Sequence, residues 1–431
     1  MARPKRRRGD GDPNGPPTAA RPQEERRLYL IFDDYPWGYS VREMNLPPPP
    51  SSRRDEAASS SASGERRRFP PPIICFEASR GYPLNFAAAG TAIVSTHSRR
   101  DPSGDSSVPD GFLPIVDVRW RGVTFGPGQA YPYIPIYLPT VGGDAVFALD
   151  ASSFSRLSLA PLWPPRLEHR GGDPAGPRHG IHGEPPWWAW QDLPPPPFNR
   201  SYDAALTSYA VPGDGRTFLF SAEIDDPIEA TLLPDRVTVV FGEVTSRPAT
   251  FAFDTAALAW ERRGEWALPF AGRGHFVPSL DAFVGLSGDP ATSGHPCSCS
   301  AAAVATAGGG GGSPPAWKLG KEKLFSEDPA ETHVGATVLY TGNGSEFCLV
   351  ECVSIAEHGD GDGDDAAADQ EEEHDEETRR RCHVYRLTTF SLSYDDNGDL
   401  TTAGTCRVQC YEVPEETTEK FLRKDPVAFW L

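Results

Sequence analysis

The sequence has little from which a helical or membrane-spanning protein could be built. Only 38 % of its 431 residues are hydrophobic, against roughly 45–50 % in an average domain. A 3.6-residue apolar period is absent except over 415–423, behind Pro414. Its 45 prolines and 42 glycines interrupt every long run. Both residue types punctuate helices, so coiled coils and long bundles are excluded. The glycines keep no period of three, which excludes collagen. No run of 18 apolar residues occurs, so no spanning helix is expected. No apolar stretch follows the basic Met1-Ala2-Arg3-Pro4-Lys5-Arg6-Arg7-Arg8, so no secretory signal is expected. Positive charge is also scarce: 41 Lys and Arg face 60 Asp and Glu, a formal net charge of −19. A chain without a basic face is a poor ligand for nucleic acid. Missing too are a nucleophile elbow, a zinc-protease helix and a phosphate loop; Gly308 to Gly312 has no Lys-Ser/Thr behind it and reads as a linker.

What the sequence does have is strands. Short apolar runs recur at 28–32, 73–77, 86–90, 91–96, 113–118, 146–150, 250–254 and 389–392. They are rich in aromatic and β-branched residues, they alternate with period two, and an acidic residue closes several of them (Asp150, Asp254, Asp395). That is the strand signature. Low-complexity stretches at 47–72, 98–110, 164–186, 300–315 and 356–380 separate the runs and read as loop insertions, which closure entropy tolerates well. Residues 1–26 are a basic tail too poor in apolar side chains to offset ordering, hence disordered. Residues 27–431 form a single domain.

A loose unit repeats along that domain: an apolar strand, a Gly turn, a second strand, a strand ending in Asp, then a Trp strand ending near Leu-Pro. The clearest copy runs from Ser208 through Asp214-Gly215 and Asp254 to Trp266-Ala267-Leu268-Pro269. Others hold Gly142-Gly143 with Trp190-Gln191-Asp192-Leu193-Pro194, and His275 with Trp317-Lys318-Leu319. Asp214-Gly215 and Asn397-Gly398 are tight-turn signals. A four-stranded unit cannot cover both its faces, so several must pack radially. The expected fold is all-β: a β-propeller of six blades, within a range of five to seven. The blades are 86–128, 133–194, 208–269, 275–325 and 333–414. The sixth joins 428–431 to 28–32, 41–46 and 73–77. Strands from both termini in one blade would close the ring and remove exposed sheet edges.

Gly142-Gly143, the spacing from Asp254 to Trp260 and the Trp…Leu-Pro endings resemble degenerate kelch repeats. Leu28-Tyr29-Leu30-Ile31-Phe32-Asp33-Asp34, Phe147-Ala148-Leu149-Asp150, Gly272-Arg273-Gly274-His275, Lys321-Glu322-Lys323-Leu324-Phe325 and Pro426-Val427-Ala428-Phe429-Trp430 resemble, more narrowly, a large family of cereal-plant proteins defined by a domain of unknown function. The resemblance spans 28–431 and implies the fold but no reaction.

Candidate chemical groups are few. Of the eight cysteines, Cys348/Cys352 and Cys406/Cys410 are four apart, which in strands puts each pair on one face, as core thiols in a reducing compartment. Cys75 and Cys382 are read the same way. His295, Cys297 and Cys299 lack the spaced pairs of a zinc site and read as ordinary strand residues. Within 357–377, Asp360, Asp362, Asp364 and Glu371 match calcium-loop positions, but Asp365 stands where the turn needs Gly, so a solvated acidic loop is expected. Lys5, Arg6, Arg7 and Arg8 resemble a nuclear-import patch, and Arg66-Arg67-Arg68 a weaker copy. Trp37, Trp187 and Trp188, in loops, are candidate partner anchors.

No metal, cofactor or catalytic residue is assigned. The function expected from sequence is a non-enzymatic, kelch-like scaffold that binds another protein, monomeric, cytoplasmic or nuclear, with neither nucleic acid nor membrane as partner. The alternatives are a propeller enzyme with a site at its central axis, for which His275, His333 and Tyr209 are the residues to watch, and a nuclear regulatory protein.

Overall fold

A computed structural model describes residues 26–34, 38–47, 49, 66–77, 84–97, 112–127, 129, 135–140, 143–159, 190–200, 204–213, 215–225, 246–306, 314–356 and 381–431. The chain is all-β, and its strands fall into sheets of mostly four. Leu28–Asp34 (β1), Gly38–Met44 (β2), Arg66–Arg68 (β3) and Ile74–Glu77 (β4) come first, then Leu84–Ala89 (β5), Ala92–His97 (β6), Phe112–Asp117 (β7) and Gly122–Pro127 (β8). Next are Ile136–Pro139 (β9), Ala145–Leu149 (β10), Phe154–Ser158 (β11), Trp190–Leu193 (β12), Ala204–Val211 (β13), Thr217–Asp225 (β14), Ser246–Asp254 (β15) and Ala259–Gly264 (β16). Phe270–Val277 (β17), Ala282–Ser287 (β18), Pro296–Ser300 (β19) and Trp317–Leu319 (β20) follow, then Glu331–Tyr340 (β21), Glu346–Ala356 (β22), Arg381–Ser391 (β23), Ser393–Tyr394 (β24), Leu400–Thr401 (β25), Arg407–Glu412 (β26) and Ala428–Trp430 (β27). Two short α-helices, Ala301–Thr306 (α1) and Glu419–Leu422 (α2), and two 3₁₀ turns, Pro278–Leu280 and Pro290–Thr292, complete the described elements.

The strand orders are β27-β1-β2-β4 (sheet I), β5-β6-β7-β8 (sheet II) and β12-β11-β10-β9 (sheet III). An eight-stranded sheet, order β16-β15-β14-β13-β17-β18-β19-β20, has two halves, sheet IV (β13 to β16) and sheet V (β17 to β20), joined by the parallel β13–β17 pairing, and β24 and β25 form a two-stranded sheet. Sheet VI is β21-β22-β23-β26-β3. Sheet I unites the two ends of the sequence, with Leu28 opposite Trp430 and Tyr29 opposite Phe429.

Both faces of each sheet are buried, so successive residues of one strand serve different cores. Leu28, Leu30 and Phe32 of β1 pack with Val350, Cys352 and Tyr385 of sheet VI, while Tyr29 and Ile31 pack with Ile93 and Val116 of sheet II. Phe147 and Leu149 face Phe218 and Phe253 of sheet IV, while Val146 faces Ala87 and Val94 of sheet II. In sheet VI, Phe347 and Leu349 meet Val277 and Val284 of sheet V. Phe270, Phe283 and Cys299 of sheet V meet Leu219 and Ala252 of sheet IV. This two-sided burial corrects the expected period-two alternation: all residues from Leu28 to Phe32 and from Ala145 to Leu149 are buried, so apolar residues run continuously there.

Two features give the repeat its physical content. Trp190 Nε1–H donates to the Pro127 carbonyl at 3.0 Å, and Trp260 Nε1–H to the Pro194 carbonyl at 2.9 Å. In each, a Trp on the outer strand of one sheet is tied to the proline ending the sheet before it. The acidic residues that close the runs cap turns: Asp117 accepts from the amides of Arg119 and Trp120, and Asp254 from those of Ala256 and Ala257. Four residues beyond each Asp, Arg121 (φ 54°) and Leu258 (φ 51°) adopt the same left-handed conformation.

Three expectations are revised. Within 47–72, β3 pairs in parallel with β26, and Phe69 stacks on Tyr411 with ring centroids 4.9 Å apart; one aromatic anchor suffices to order that end of the stretch. Within 300–315, α1 places Val304 in the core between sheets IV and V. The helix expected over 415–423 shrinks to α2, because the Thr418 amide is held by the Asp33 carbonyl at 3.1 Å, tying the segment to sheet I until its last turn. Gly215 adopts φ 64° and its amide donates to the Pro212 carbonyl at 3.0 Å, while Asp214 lies outside the described residues.

Candidate functional site

Strands of sheets I to VI line a cavity of about 930 Å³; β5, β9, β21 and β27 are edge strands, whereas β13 and β17 pair with each other. Asn85 to Ala88 of β5, Ile136 and Tyr137 of β9, Tyr209 of β13, Arg273 of β17, His333 and Ala336 to Leu339 of β21, and Ala428 and Phe429 of β27 all line it. Three of these strands are irregular where they face it. Pairing shifts between Leu206 and Ser208, between Ala271 and His275, and between His333 and Gly335. Bulges re-aim side chains that a regular ladder would point elsewhere.

The most organised group is built around Glu351, in the middle of β22 and fully buried. Its Oε2 accepts from Arg386 Nη1 at 2.7 Å, and both oxygens lie within 3.2 Å of the Ser326 amide. Glu351 Oε1 accepts from His333 Nδ1–H at 3.0 Å. Arg386 also faces Glu331 at 3.6 Å, and Glu331 in turn accepts from the Ser326 hydroxyl. Phe325 stacks flat on the His333 ring, with centroids 4.0 Å apart and planes 16° apart. A carboxylate acceptor at Nδ1 fixes the tautomer, leaving the Nε2 lone pair as the basic site. His333 Nε2 has no hydrogen-bond partner among the described residues, and the ring lines the cavity.

A second group lies where sheets IV and V join. Tyr209 and Arg273 are directly opposite in the parallel β13–β17 register, so both side chains project to the same face. Burial raises the Tyr209 phenol above its ordinary range, opposed by Arg273 and reinforced by Asp425; the hydroxyl is a proton-bearing donor at neutral pH. Burial likewise lowers Arg273. Two residues on, His275 is packed behind the cavity wall. Its Nε2–H donates to the Val338 carbonyl at 3.0 Å, and burial together with Arg273 pushes it down to about 3, so it stays neutral. At the cavity's rim, Asp425 Oδ1 accepts from the Ala336 amide at 3.1 Å, and Asp33 Oδ2 from the Thr418 hydroxyl at 2.8 Å.

Of the three residues singled out from sequence for an axial site, His333 and Tyr209 reach the cavity and His275 does not. Trp37, Trp187 and Trp188, the Lys5, Arg6, Arg7, Arg8 patch, the acids of 357–377 and Gly308 to Gly312 all lie outside the described residues. Cys348 and Cys352 share one core, as their spacing implies, and burial raises both to about 12. Cys297 and Cys299 are core residues between sheets IV and V, while His295 Nδ1–H is engaged by the Gly320 carbonyl. Among the described residues all eight cysteines are free, no cluster of three His, Cys, Asp or Glu could hold a metal ion, and no helix is long and apolar enough to cross a membrane. Sequence reasoning missed Arg273, Arg386, Asp425 and above all Glu351. For Glu351 a signal existed: a lone acid inside the apolar run Phe347-Cys348-Leu349-Val350-Glu351-Cys352-Val353. A charge at such a position must be paired.

No curated protein matches the chain. Among solved structures it is similar to the periplasmic gluconolactonase PpgL of Pseudomonas aeruginosa, with 10 % identity, a TM-score of 0.37, and coverage of 90 % of this chain and 99 % of that one. It is similar to a putative 6-phosphogluconolactonase from Bacteroides uniformis at 9 % identity and TM-score 0.37, over 95 % and 100 % of the two chains. For an oligogalacturonate lyase in complex with manganese the values are 10 %, 0.27, and 74 % and 83 %. The expectation of a non-enzymatic protein-binding scaffold is corrected: the three structures named are those of enzymes. His333, Glu351 and Arg386 lie on three neighbouring strands of sheet VI, and Tyr209 and Arg273 where sheets IV and V join, so no local sequence motif marks them. The neighbours' activities belong to those proteins, and at these TM-scores they assign none to this one. A model built from related sequences matches residues 25–411, and the chain belongs to the family described as Protein of unknown function (DUF1668).

Proposed function

We propose that the protein is an acid–base enzyme built as a six-bladed propeller, with its active site in the axial cavity. Six hydrophobic clusters support the architecture, one between each pair of successive sheets: I–II, II–III, III–IV, IV–V, V–VI and VI–I. The β27–β1 ladder supports closure by the two ends of the chain. The kelch-like character resides in the Trp-to-Pro bonds and in the glycine turns.

The observation that carries the enzymatic reading is the His333–Glu351–Arg386 array. Glu351 orients the imidazole and stabilises it when protonated, Phe325 holds its plane, and Nε2 is left to take a proton from a bound molecule or from water. Arg386 and the Ser326 amide satisfy the buried Glu351 oxygens. Tyr209 stands in the same cavity as a protonated hydroxyl able to donate. The reaction class is proton transfer at a small molecule held in the cavity.

The test is turnover of a metabolite extract followed by mass spectrometry. The wild-type chain should deplete at least one compound, and His333→Asn should slow that depletion by about 10²–10⁴-fold, the usual span for a general base. Its thermal midpoint should be retained. No depletion by the wild type, or equal depletion by His333→Asn, would overturn the reading.

A further inference from the structure

The charges on the cavity wall are unequally satisfied. The acids there are engaged by the protein itself: Asp33 accepts from Thr418 and Asp425 from the Ala336 amide. Arg273 is different. Its guanidinium lines the cavity, yet among the described residues it makes no ion pair and no side-chain hydrogen bond. Its in-register neighbour is Tyr209, which is neutral, and it is flanked by Gly272 and Gly274, which carry no side chains. Gly272 sits at φ 64°, with open space where a Cβ would be. The irregularity of β17 between Ala271 and His275 holds the arginine against this opening. Lys420 and Lys424, exposed at the rim, add further positive charge.

A half-buried guanidinium with no ion-pair or hydrogen-bond partner among the described residues is a cost to the fold, and natural proteins avoid it unless a partner arrives. The planar fork of arginine matches the two oxygens of a carboxylate or a phosphate, whereas a neutral polyol could be held by hydroxyls and amides alone. Burial lowers Arg273 without neutralising it, so the charge is present for a ligand.

We infer that the axial cavity takes a small organic anion whose carboxylate or phosphate group seats on the Arg273 guanidinium, beside the Tyr209 hydroxyl. This rests on the cavity being the binding site of the proposed enzyme, but not on the acid–base role of His333. In the complex the anionic group would be anchored on sheets IV and V, with the rest of the molecule reaching toward sheet VI and His333.

The experiment uses the full chain, with inorganic phosphate, glucuronate, glucose 6-phosphate and glucose as probes at matched ionic strength, read by calorimetric titration and thermal shift. At least one anionic probe should bind, and Arg273→Gln should weaken it tenfold or more, while glucose binds neither protein better than the other. Glucuronate binding without glucose 6-phosphate identifies a carboxylate site, the reverse a phosphate site. Without ligand, Arg273→Gln and Arg273→Met should melt at or above the wild-type temperature, because an uncompensated charge has been removed; a structural arginine would give the opposite. If no anion binds in an Arg273-dependent way, or if both variants melt well below wild type, the inference fails. His333→Asn separates it from the catalytic reading. Anion binding retained by that variant, with no turnover by wild type, leaves the anion site standing and removes the enzyme. Turnover of a neutral compound, unchanged in Arg273→Gln, does the converse.

Discussion

Replacing Glu351 by glutamine tests the organising group of the site. The two side chains have the same shape, so packing is conserved and only charge and hydrogen-bond polarity change. Glu351 accepts from three donors, namely Arg386 Nη1, the Ser326 amide and His333 Nδ1–H, all within 3.2 Å. Glutamine offers one acceptor oxygen. With that oxygen on Arg386, the amide nitrogen faces His333. The imidazole must then present an unprotonated Nδ1, which moves its proton to Nε2. The cavity-facing nitrogen becomes a donor, and the base is lost although the ring has not moved. Removing one partner of a buried pair costs about 3–5 kcal/mol. Arg386 keeps Glu331 at 3.6 Å, which places this variant near the lower end, about 3 kcal/mol. Urea unfolding measures the loss, and nitrogen NMR of the histidine ring reads the tautomer. Arg386→Met in the Glu351→Gln background should cost less than it does in the wild type, because the charge it removes is already poorly paired. A loss below about 1 kcal/mol, the ordinary worth of one neutral hydrogen bond, or an unchanged tautomer, would refute the account of Glu351 as a paired, orienting carboxylate.

Two further outcomes follow from the same structure. His275 is neutral when folded, pushed down to about 3, and its unfolded imidazole titrates near 6.5, so the unfolded chain binds the extra proton between those values. Stability contributed by this group is therefore complete above pH 6.5 and declines as pH falls toward 3, by up to about 1.4 kcal/mol per unit; His275→Gln should flatten the loss between pH 7 and pH 5 measured by urea unfolding, and an unchanged slope would assign it to other groups. Gly143, at φ 68°, lies where an added Cβ would meet the Gly90 backbone at 2.4 Å. Gly143→Ala combines left-handed strain with a backbone clash and should cost about 2–5 kcal/mol, whereas Gly272→Ala, also left-handed but in open space, should cost only about 1–2 kcal/mol; equal effects would show that the sheet II–III contact is not tight.

Much of the fold is legible in the residues. The runs at 28–32, 146–150 and 250–254 are strands because aromatic and β-branched residues suit a pleated surface buried on both sides. Trp190 and Trp260 recur because each makes the same bond to a proline carbonyl, and Asp117 and Asp254 because each caps the same turn. That the last residues lie beside the first strand follows from an apolar Phe429-Trp430-Leu431 with no other place to be buried. Less legible were short pieces inside low-complexity stretches. Phe69 and Val304 are single apolar anchors, and one residue shows no period.

The site was legible only in part. His333 and Tyr209 could be named as residues to watch, but nothing in the sequence separates them from His275, whose ring turns away from the cavity. Glu351 could be flagged as an acid that needs a partner, yet the partner, Arg386, is 35 residues further along the chain. Arg273 has no ion-pair or side-chain hydrogen-bond partner among the described residues, and the absence of such a contact has no sequence signature at all. Local pattern decides which segments become strands and which faces they bury, because those depend on neighbours one to four residues away. Which charges meet, and which faces the cavity, depends on strands from different sheets brought together, and only the tertiary structure decides that.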